Sequence, residues 1–179
     1  MKQALQKYGA LALLLILIGG MCLSFGQSKS GMFIDEIYTY GLANSTKGAY
    51  LRDCAGGTLE DRILSRQDLL DYVTVQPGEG FSFRAVYENQ AADVHPPLYY
   101  WLFHIASSLT PGVFSKWTGL VLDLILYLGT LLLLWALLRE LLGSQVAALA
   151  GVAIYGLSLL GLSTMLMIRM YVLVTLLTV

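Results

Sequence analysis

Long apolar segments that can each cross a membrane constrain the fold of this chain more than any other feature. Residues 8–25 form an apolar run of about eighteen residues, close to the length that spans the hydrocarbon core of a bilayer. Residues 117–138 and 147–165 are two further runs, and residues 168–179 begin a fourth. Because hydrocarbon offers no partner to backbone polar groups, such runs fold as helices. The sequence therefore predicts an all-α membrane protein built as a polytopic helical bundle.

One polar segment interrupts these apolar runs. Hydrophobic residues make up 56% of the chain, yet ten of the twelve acidic and six of the eleven basic residues lie between positions 27 and 95. This distribution predicts a first transmembrane helix at 1–26 and a large extracytoplasmic loop of short juxtamembrane helices at 27–115. Transmembrane helices two and three and the start of a fourth follow at 116–179. The basic residues do not form the stripe or patch that binds nucleic acid, which excludes that class of partner.

The charges around the first run predict its orientation. Lys2 and Lys7 precede it, and no basic residue follows it immediately. By the positive-inside rule, the N-terminus is cytoplasmic, and the protein is a multi-pass protein of the cell membrane. A cleavable signal peptide is the alternative, since Ser24 and Gly26 provide small residues at the −3 and −1 positions of a cleavage site. Both alternatives place the polar segment outside.

Short helices are predicted in the polar segment at residues 33–44, 58–73, 81–92 and 98–109. The last is too short to cross a membrane, and its aromatic residues are typical of a helix at the membrane–water interface, with His104 as one of these rings. Counting the crossings then places Arg169 on the same outer face as Asp35. In the alternative, residues 98–109 cross the membrane and Arg169 lies inside.

Several polar residues stand out against this background. Asp35 and Glu36 are adjacent on a helix, so their side chains point about 100° apart and have different tasks. The alternative is that both are favourable charges in a first helical turn. Asp93 and His95 precede two prolines that stiffen the chain, and the alternative role for this pair is to cap the next helix. Asp123 lies inside a predicted span and is either functional or neutralised by a partner.

These residues resemble the motifs of a known family. Residues 33–38, just after the first span, resemble the first-loop acidic motif of GT-C membrane glycosyltransferases. Residues 93–100 resemble their His-Pro-Pro-Leu-Tyr-Tyr element, and residues 169–171 resemble the Arg-x-Tyr at the head of a later span. The best match is the branch that contains protein O-mannosyltransferases, the aminoarabinose transferase of lipid A and the RgtA/B/C/D-like bacterial enzymes.

The resemblance implies a glycosyltransferase. Its donor is a sugar on a polyprenyl phosphate held in membrane lipid, and its acceptor is a glycan, lipid or protein on the outer side. Asp35 is implied as the general base, and Glu36 as the residue that positions the acceptor or supports a metal ion. The implied substrate- and phosphate-binding residues, which stabilise the departing lipid phosphate, are Asp93, His95, Arg169 and Tyr171.

One departure from the family concerns metal binding. A divalent cation is the one cofactor that the resemblance leaves open, with Asp35 and Glu36 as its ligands. Relatives carry an acidic residue near the position of Arg169, whereas this chain has Ile168 and Met170 there. This departure argues against a tightly bound divalent ion.

Two other function classes remain open. A transporter subunit would use broken helices and polar groups in mid-membrane, and a non-catalytic polytopic membrane protein would need neither. The chain stops inside an apolar run, which predicts a fragment of a longer polytopic protein. Such a fragment is expected to be inactive in sugar transfer by itself, because it cannot enclose a polyprenyl tail.

Overall fold

The computed structural model describes residues 2–54 and 64–179, and every regular element within them is an α-helix. This confirms the predicted all-α class. The chain divides into two compact units. The membrane unit consists of Met1–Ser30 and Asp123–Val179, and the loop unit consists of Gly31–Leu122.

Long apolar helices dominate the membrane unit. Its elements are α1 (Lys2–Ser28), the larger part of α7 (Lys116–Leu142), α8 (Gln145–Gly156), α9 (Leu159–Leu166) and α10 (Tyr171–Thr178). Within the described residues, Tyr8–Ser28 and Lys116–Leu142 are each long and apolar enough to cross a membrane, and α8 and α9 together make a third span at most. Ile16 and Leu17 on α1 and Ile125 on α7 are largely exposed, as lipid-facing side chains would be. The molecule is therefore a membrane protein.

The third predicted span is bent rather than one continuous helix, and whether it crosses the membrane stays a prediction. α8 and α9 are bent by 58° relative to each other. At the bend, the Ser158 hydroxyl accepts the Gly161 N–H at 3.0 Å and donates to Tyr155 O at 2.7 Å. From α7, the Tyr127 hydroxyl donates to Gly156 O at 3.2 Å. These bonds satisfy backbone groups that a break within hydrocarbon would otherwise leave exposed.

The bend bears on the side of the membrane that Arg169 occupies. A bent pair of this kind is either one broken span or a re-entrant segment that turns back. A broken span keeps Arg169 on the outer face predicted from the sequence, whereas a re-entrant segment reverses it. The outer position of Arg169 stays a prediction.

Five short helices make up most of the loop unit. They are α2 (Ile34–Asn44), α3 (Leu51–Cys54), α4 (Arg66–Val73), α5 (Phe83–Ala91) and α6 (Leu98–Ser108). The helices predicted at 33–44, 81–92 and 98–109 are confirmed. α2 lies at the centre, where it packs against α4, α5 and α6. Its residues from Thr39 to its end are buried.

Side chains from distant segments hold the end of α2. The Asn89 side-chain amide donates to Leu42 O at 3.1 Å and to Ser45 O at 2.8 Å. Both carbonyls lie at the end of α2, where helical backbone acceptors lack intrahelical partners. α4 approaches so closely that a Cβ at Gly41 would overlap the Tyr72 ring. The packing of the loop unit therefore depends on tertiary hydrogen bonds and on the close approach of α4 to Gly41.

The helix predicted over residues 58–73 is not continuous. Residues 55–63, which include the predicted start of this helix at Thr58, lie outside the described residues. Leu64 and Ser65 are not helical, and α4 begins at Arg66. The cause is a reciprocal cap in which Ser65 Oγ accepts the Asp68 N–H at 3.1 Å and the Asp68 carboxylate accepts the Ser65 N–H at 2.8 Å.

Candidate functional site

The first turn of α2 carries two carboxylates in opposite environments. Glu36 is fully buried, and its carboxylate accepts the Phe33 N–H at 2.8 Å, so it reaches back over the start of the helix. Asp35 is exposed. The two side chains therefore differ as their helical spacing predicts, and Asp35 is the one of the pair that a substrate can reach.

A divalent cation is not supported by the geometry of this pair. Such ions collect several oxygen ligands around one point. The Glu36 carboxylate is buried against the backbone while Asp35 faces outward. Among the side chains that the structure describes, at residues 8–52 and 64–179, no three of His, Cys, Asp or Glu are grouped to hold a metal ion. Asp35 and Glu36 alone do not make a cation site.

Asp93 and His95 form a close pair. His95 Nδ1 lies 2.6 Å from Asp93 Oδ2, and the two side chains are 18% and 16% exposed. Because the carboxylate accepts, Nδ1 carries the proton, and the orientation of Nε2 is fixed. The fully buried Tyr100 ring lies 6.3 Å from the imidazole. α6 then begins at Leu98. The structure thus holds an oriented, partly accessible imidazole at the head of α6.

Arg169 and Tyr171 belong to the membrane unit. Arg169 lies in the non-helical segment between α9 and α10 and is 6% exposed, whereas Tyr171 begins α10 and is 45% exposed. A buried guanidinium in a membrane protein is costly and is typically retained for function. Asp123 on α7 is also fully buried. The predicted site residues are thus divided, with Asp35, Glu36, Asp93 and His95 in the loop unit and Arg169 and Tyr171 in the membrane unit.

His104 is buried inside the loop unit rather than lying among interfacial rings as predicted. Its exposure is 1%, and its Nε2 accepts the Ser82 N–H at 2.9 Å. Burial lowers the pKa of His104, which keeps the imidazole neutral and able to accept this bond. His104 therefore holds the residue that precedes α5 and has a structural role.

The loop unit also contains a pocket that was not predicted from the sequence. It has a volume of about 350 Å³ and is lined by Tyr38, Tyr50, Leu51, Arg52 and Leu64. These residues come from α2, from α3 and its preceding turn, and from the segment before α4. Of the five, only Tyr38 belongs to a motif recognised in the sequence. No local signal could have revealed the pocket, because tertiary packing brings its walls together.

Comparison with known proteins bears on the second part of the chain. The sequence profile of the family described as dolichyl-phosphate-mannose-protein mannosyltransferase matches residues 94–179. No curated protein and no solved structure gives a significant match to the chain. The matched segment contains His95, Arg169 and Tyr171, whereas Asp35 lies outside it. The predicted resemblance to membrane glycosyltransferases is therefore confirmed at the coarse level of the enzyme class, over residues 94–179.

Proposed function

We propose that this protein transfers a sugar from a polyprenyl-phosphate-linked donor to an acceptor at the outer face of the membrane. The observation that carries the proposal is the family match over residues 94–179, whose description names a sugar on a lipid phosphate. Within that segment lie the oriented imidazole of His95 and the buried guanidinium of Arg169. The long apolar helices can place the protein in the membrane, where the lipid tail of such a donor also lies.

Arg169 and His95 act on the leaving group in this proposal. As the bond between the anomeric carbon and the phosphate oxygen breaks, the electron pair leaves with the lipid phosphate. The Arg169 guanidinium offers a planar fork of donors that matches phosphate oxygens. The His95 imidazole, which Asp93 orients through the 2.6 Å contact, is a second polar group for the phosphate. The Tyr171 hydroxyl is a further donor to the phosphate.

Asp35 acts on the acceptor. Its carboxylate takes the proton of the acceptor hydroxyl while the hydroxyl oxygen forms a bond to the anomeric carbon of the sugar. The exposure of Asp35 supports this role, because an acceptor from the aqueous side can reach it. Glu36 is a positioning residue. By capping the start of α2 through Phe33, it fixes the turn that carries Asp35.

The proposal is tested in membranes with the protein at its full natural length. Membranes are incubated separately with polyprenyl phosphates that carry radiolabelled mannose, glucose or N-acetylglucosamine, and label in product is counted. We expect transfer from one of these donors, reduced roughly 10²-fold by Arg169→Ala through loss of the phosphate contact. The control is Arg139→Ala, which removes a basic residue near the end of α7 and should leave transfer unchanged. Correctly inserted protein that transfers none of the three sugars would contradict the proposal.

A transporter is the second candidate, and two observations favour it. The break between α8 and α9 and the fully buried Asp123 on α7 are features that transporters use near mid-membrane. In proteoliposomes, proton flux that disappears with Asp123→Asn would support this candidate. Sugar transfer that persists in the same variant would support the transferase instead.

A further inference from the structure

Given the transferase activity proposed above, on which this assignment rests, we propose that the pocket of the loop unit binds a sugar ring of the acceptor. The acceptor is then a saccharide or a glycosylated molecule. The pocket is lined by Tyr38, Tyr50, Leu51, Arg52 and Leu64 and has a volume of about 350 Å³. This volume lies at the lower end of the range for small-molecule sites, which suits one or two sugar rings.

The chemistry of the pocket wall matches a sugar. A pyranose has an apolar C–H face, which packs on aromatic rings, and a rim of hydroxyl groups, which need donors and acceptors. Tyr38 and Tyr50 supply both a ring and a hydroxyl. The Arg52 guanidinium adds a planar set of donors for hydroxyl or carboxylate oxygens. Among the described residues, Leu51 and Leu64 add aliphatic surface to the lining.

The walls of the pocket are ordered by contacts within the protein. The Tyr38 and Tyr50 rings meet edge to face, with centroids 6.5 Å apart and an interplanar angle of 83°. Arg52 Cζ lies 5.0 Å from the centroid of the Tyr50 ring, which is a cation–π contact. The Tyr50 hydroxyl donates to Ala92 O at 2.9 Å. Because these side chains are already held, a ligand loses less binding free energy to side-chain ordering.

The pocket lies beside the proposed general base. Tyr38 follows Asp35 by three residues on α2, and side chains at this spacing have Cβ atoms about 5–6 Å apart on one helix face. Both side chains are exposed. On the other side, Tyr50 bonds to Ala92, the residue before Asp93. A sugar ring in the pocket can therefore present a hydroxyl to Asp35.

Direct binding of saccharides tests this assignment without a donor. The protein at its full natural length, purified in detergent, is applied to an array of immobilised neutral, amino-sugar and uronic-acid oligosaccharides. We expect the wild type to bind at least one of them, and Tyr38→Ala and Arg52→Gln each to weaken that binding by about tenfold. The matched control is Tyr87→Ala, which removes an aromatic ring that is 57% exposed on α5, outside the pocket lining. This control should bind as the wild type does.

The outcomes separate the pocket from the enzyme activity. Wild-type protein that binds no oligosaccharide, or pocket variants that bind as well as Tyr87→Ala, would overturn the saccharide pocket even if sugar transfer is observed. Asp35→Asn is expected to keep saccharide binding and to lose transfer. Saccharide binding that depends on Tyr38 and Arg52, in a wild type that transfers no sugar, would support the pocket and refute the proposed transferase.

Discussion

The loop unit and the membrane unit satisfy their backbone polar groups in different ways. In the loop unit, side chains bond to backbone atoms far away in the sequence, as Asn89 does to Leu42 and Ser45. In the membrane unit, Ser163 and Thr164 bond to the backbone of their own helix, whereas Tyr127 bonds across to the α8–α9 break. Water can replace a lost bond near the surface of the loop unit, but hydrocarbon cannot.

This difference shows how the two units are suited to their parts in the proposed reaction. The loop unit positions Asp35 and His95 through tertiary contacts, so small errors in packing should disturb them. The membrane unit keeps Arg169 buried, where a charge interacts strongly with a phosphate because the dielectric constant is low. A variant that disturbs packing in the loop unit should therefore have a different effect from a variant that removes a polar group in the membrane unit.

The largest effect is expected when the side of the membrane on which each position lies is tested by labelling single cysteines, because each cysteine either reacts or does not. In a background without Cys22 and Cys54, Lys47→Cys and Tyr171→Cys should react with a membrane-impermeant maleimide from outside, and Glu140→Cys should not. All three positions are exposed in the structure. This pattern would show that α8 and α9 form one broken span. Labelling of Tyr171→Cys from the cytoplasmic side alone would instead show a re-entrant segment and separate Arg169 from Asp35.

Packing of the loop unit is tested by Gly41→Ala. The added Cβ overlaps the Tyr72 ring, so α2 and α4 must move apart, and we expect a loss of about 3 kcal/mol in the free energy of unfolding. Thermal unfolding in detergent measures this loss. Gly31→Ala is the control, since a Cβ there has no neighbour within 4 Å. Equal melting temperatures for the two variants would contradict the close contact between α2 and α4.

How far the sequence could predict the structure also differs between the units. Hydropathy located the long helices, but it could not detect the bend at Ser158, because the residues on both sides are equally apolar. In the loop unit, periodicity located α2 to within one residue, and the Ser65–Asp68 cap was a missed local signal for the start of α4. The burial of His104 and the meeting of Tyr38 with Tyr50 depend on tertiary packing, which no local pattern encodes.

The hydrogen bond from Tyr127 on α7 to the break between α8 and α9 is tested by Tyr127→Phe. This change keeps the ring but removes the hydroxyl that bonds to Gly156 O, and we expect a loss of about 1 kcal/mol in the free energy of unfolding. Thermal unfolding in detergent is again the measurement. Ser163→Ala is the control, because that hydroxyl is exposed and bonds to Leu160 O within its own helix. A Tyr127→Phe protein as stable as this control would mean that the break needs no support from α7.

A smaller effect is expected from the pH dependence of His104. Burial lowers its pKa in the folded protein, so below the unfolded value of about 6.5 the unfolded chain binds a proton that the folded chain does not. The contribution of His104 to the free energy of unfolding is therefore fully present above the unfolded pKa of about 6.5. It is lost as the pH falls from there towards the folded pKa. Thermal unfolding from about pH 7.5 to about pH 5.5 should show a smaller loss for His104→Gln than for the wild type. Parallel pH profiles would show that His104 does not titrate on unfolding.

The catalytic role of Asp35 is the central claim, and the turnover of Asp35→Asn tests it most directly. The protein at its full natural length is supplied with its labelled polyprenyl-phosphate donor, and donor binding and turnover are measured separately. The amide keeps the shape of the side chain but cannot take a proton, so turnover should fall by roughly 10² or more while the affinity for the donor is unchanged. Glu88→Gln, which neutralises an exposed carboxylate on α5, should have normal turnover. Near-normal turnover in Asp35→Asn would contradict the account and leave Asp35 as a charge in the first turn of α2.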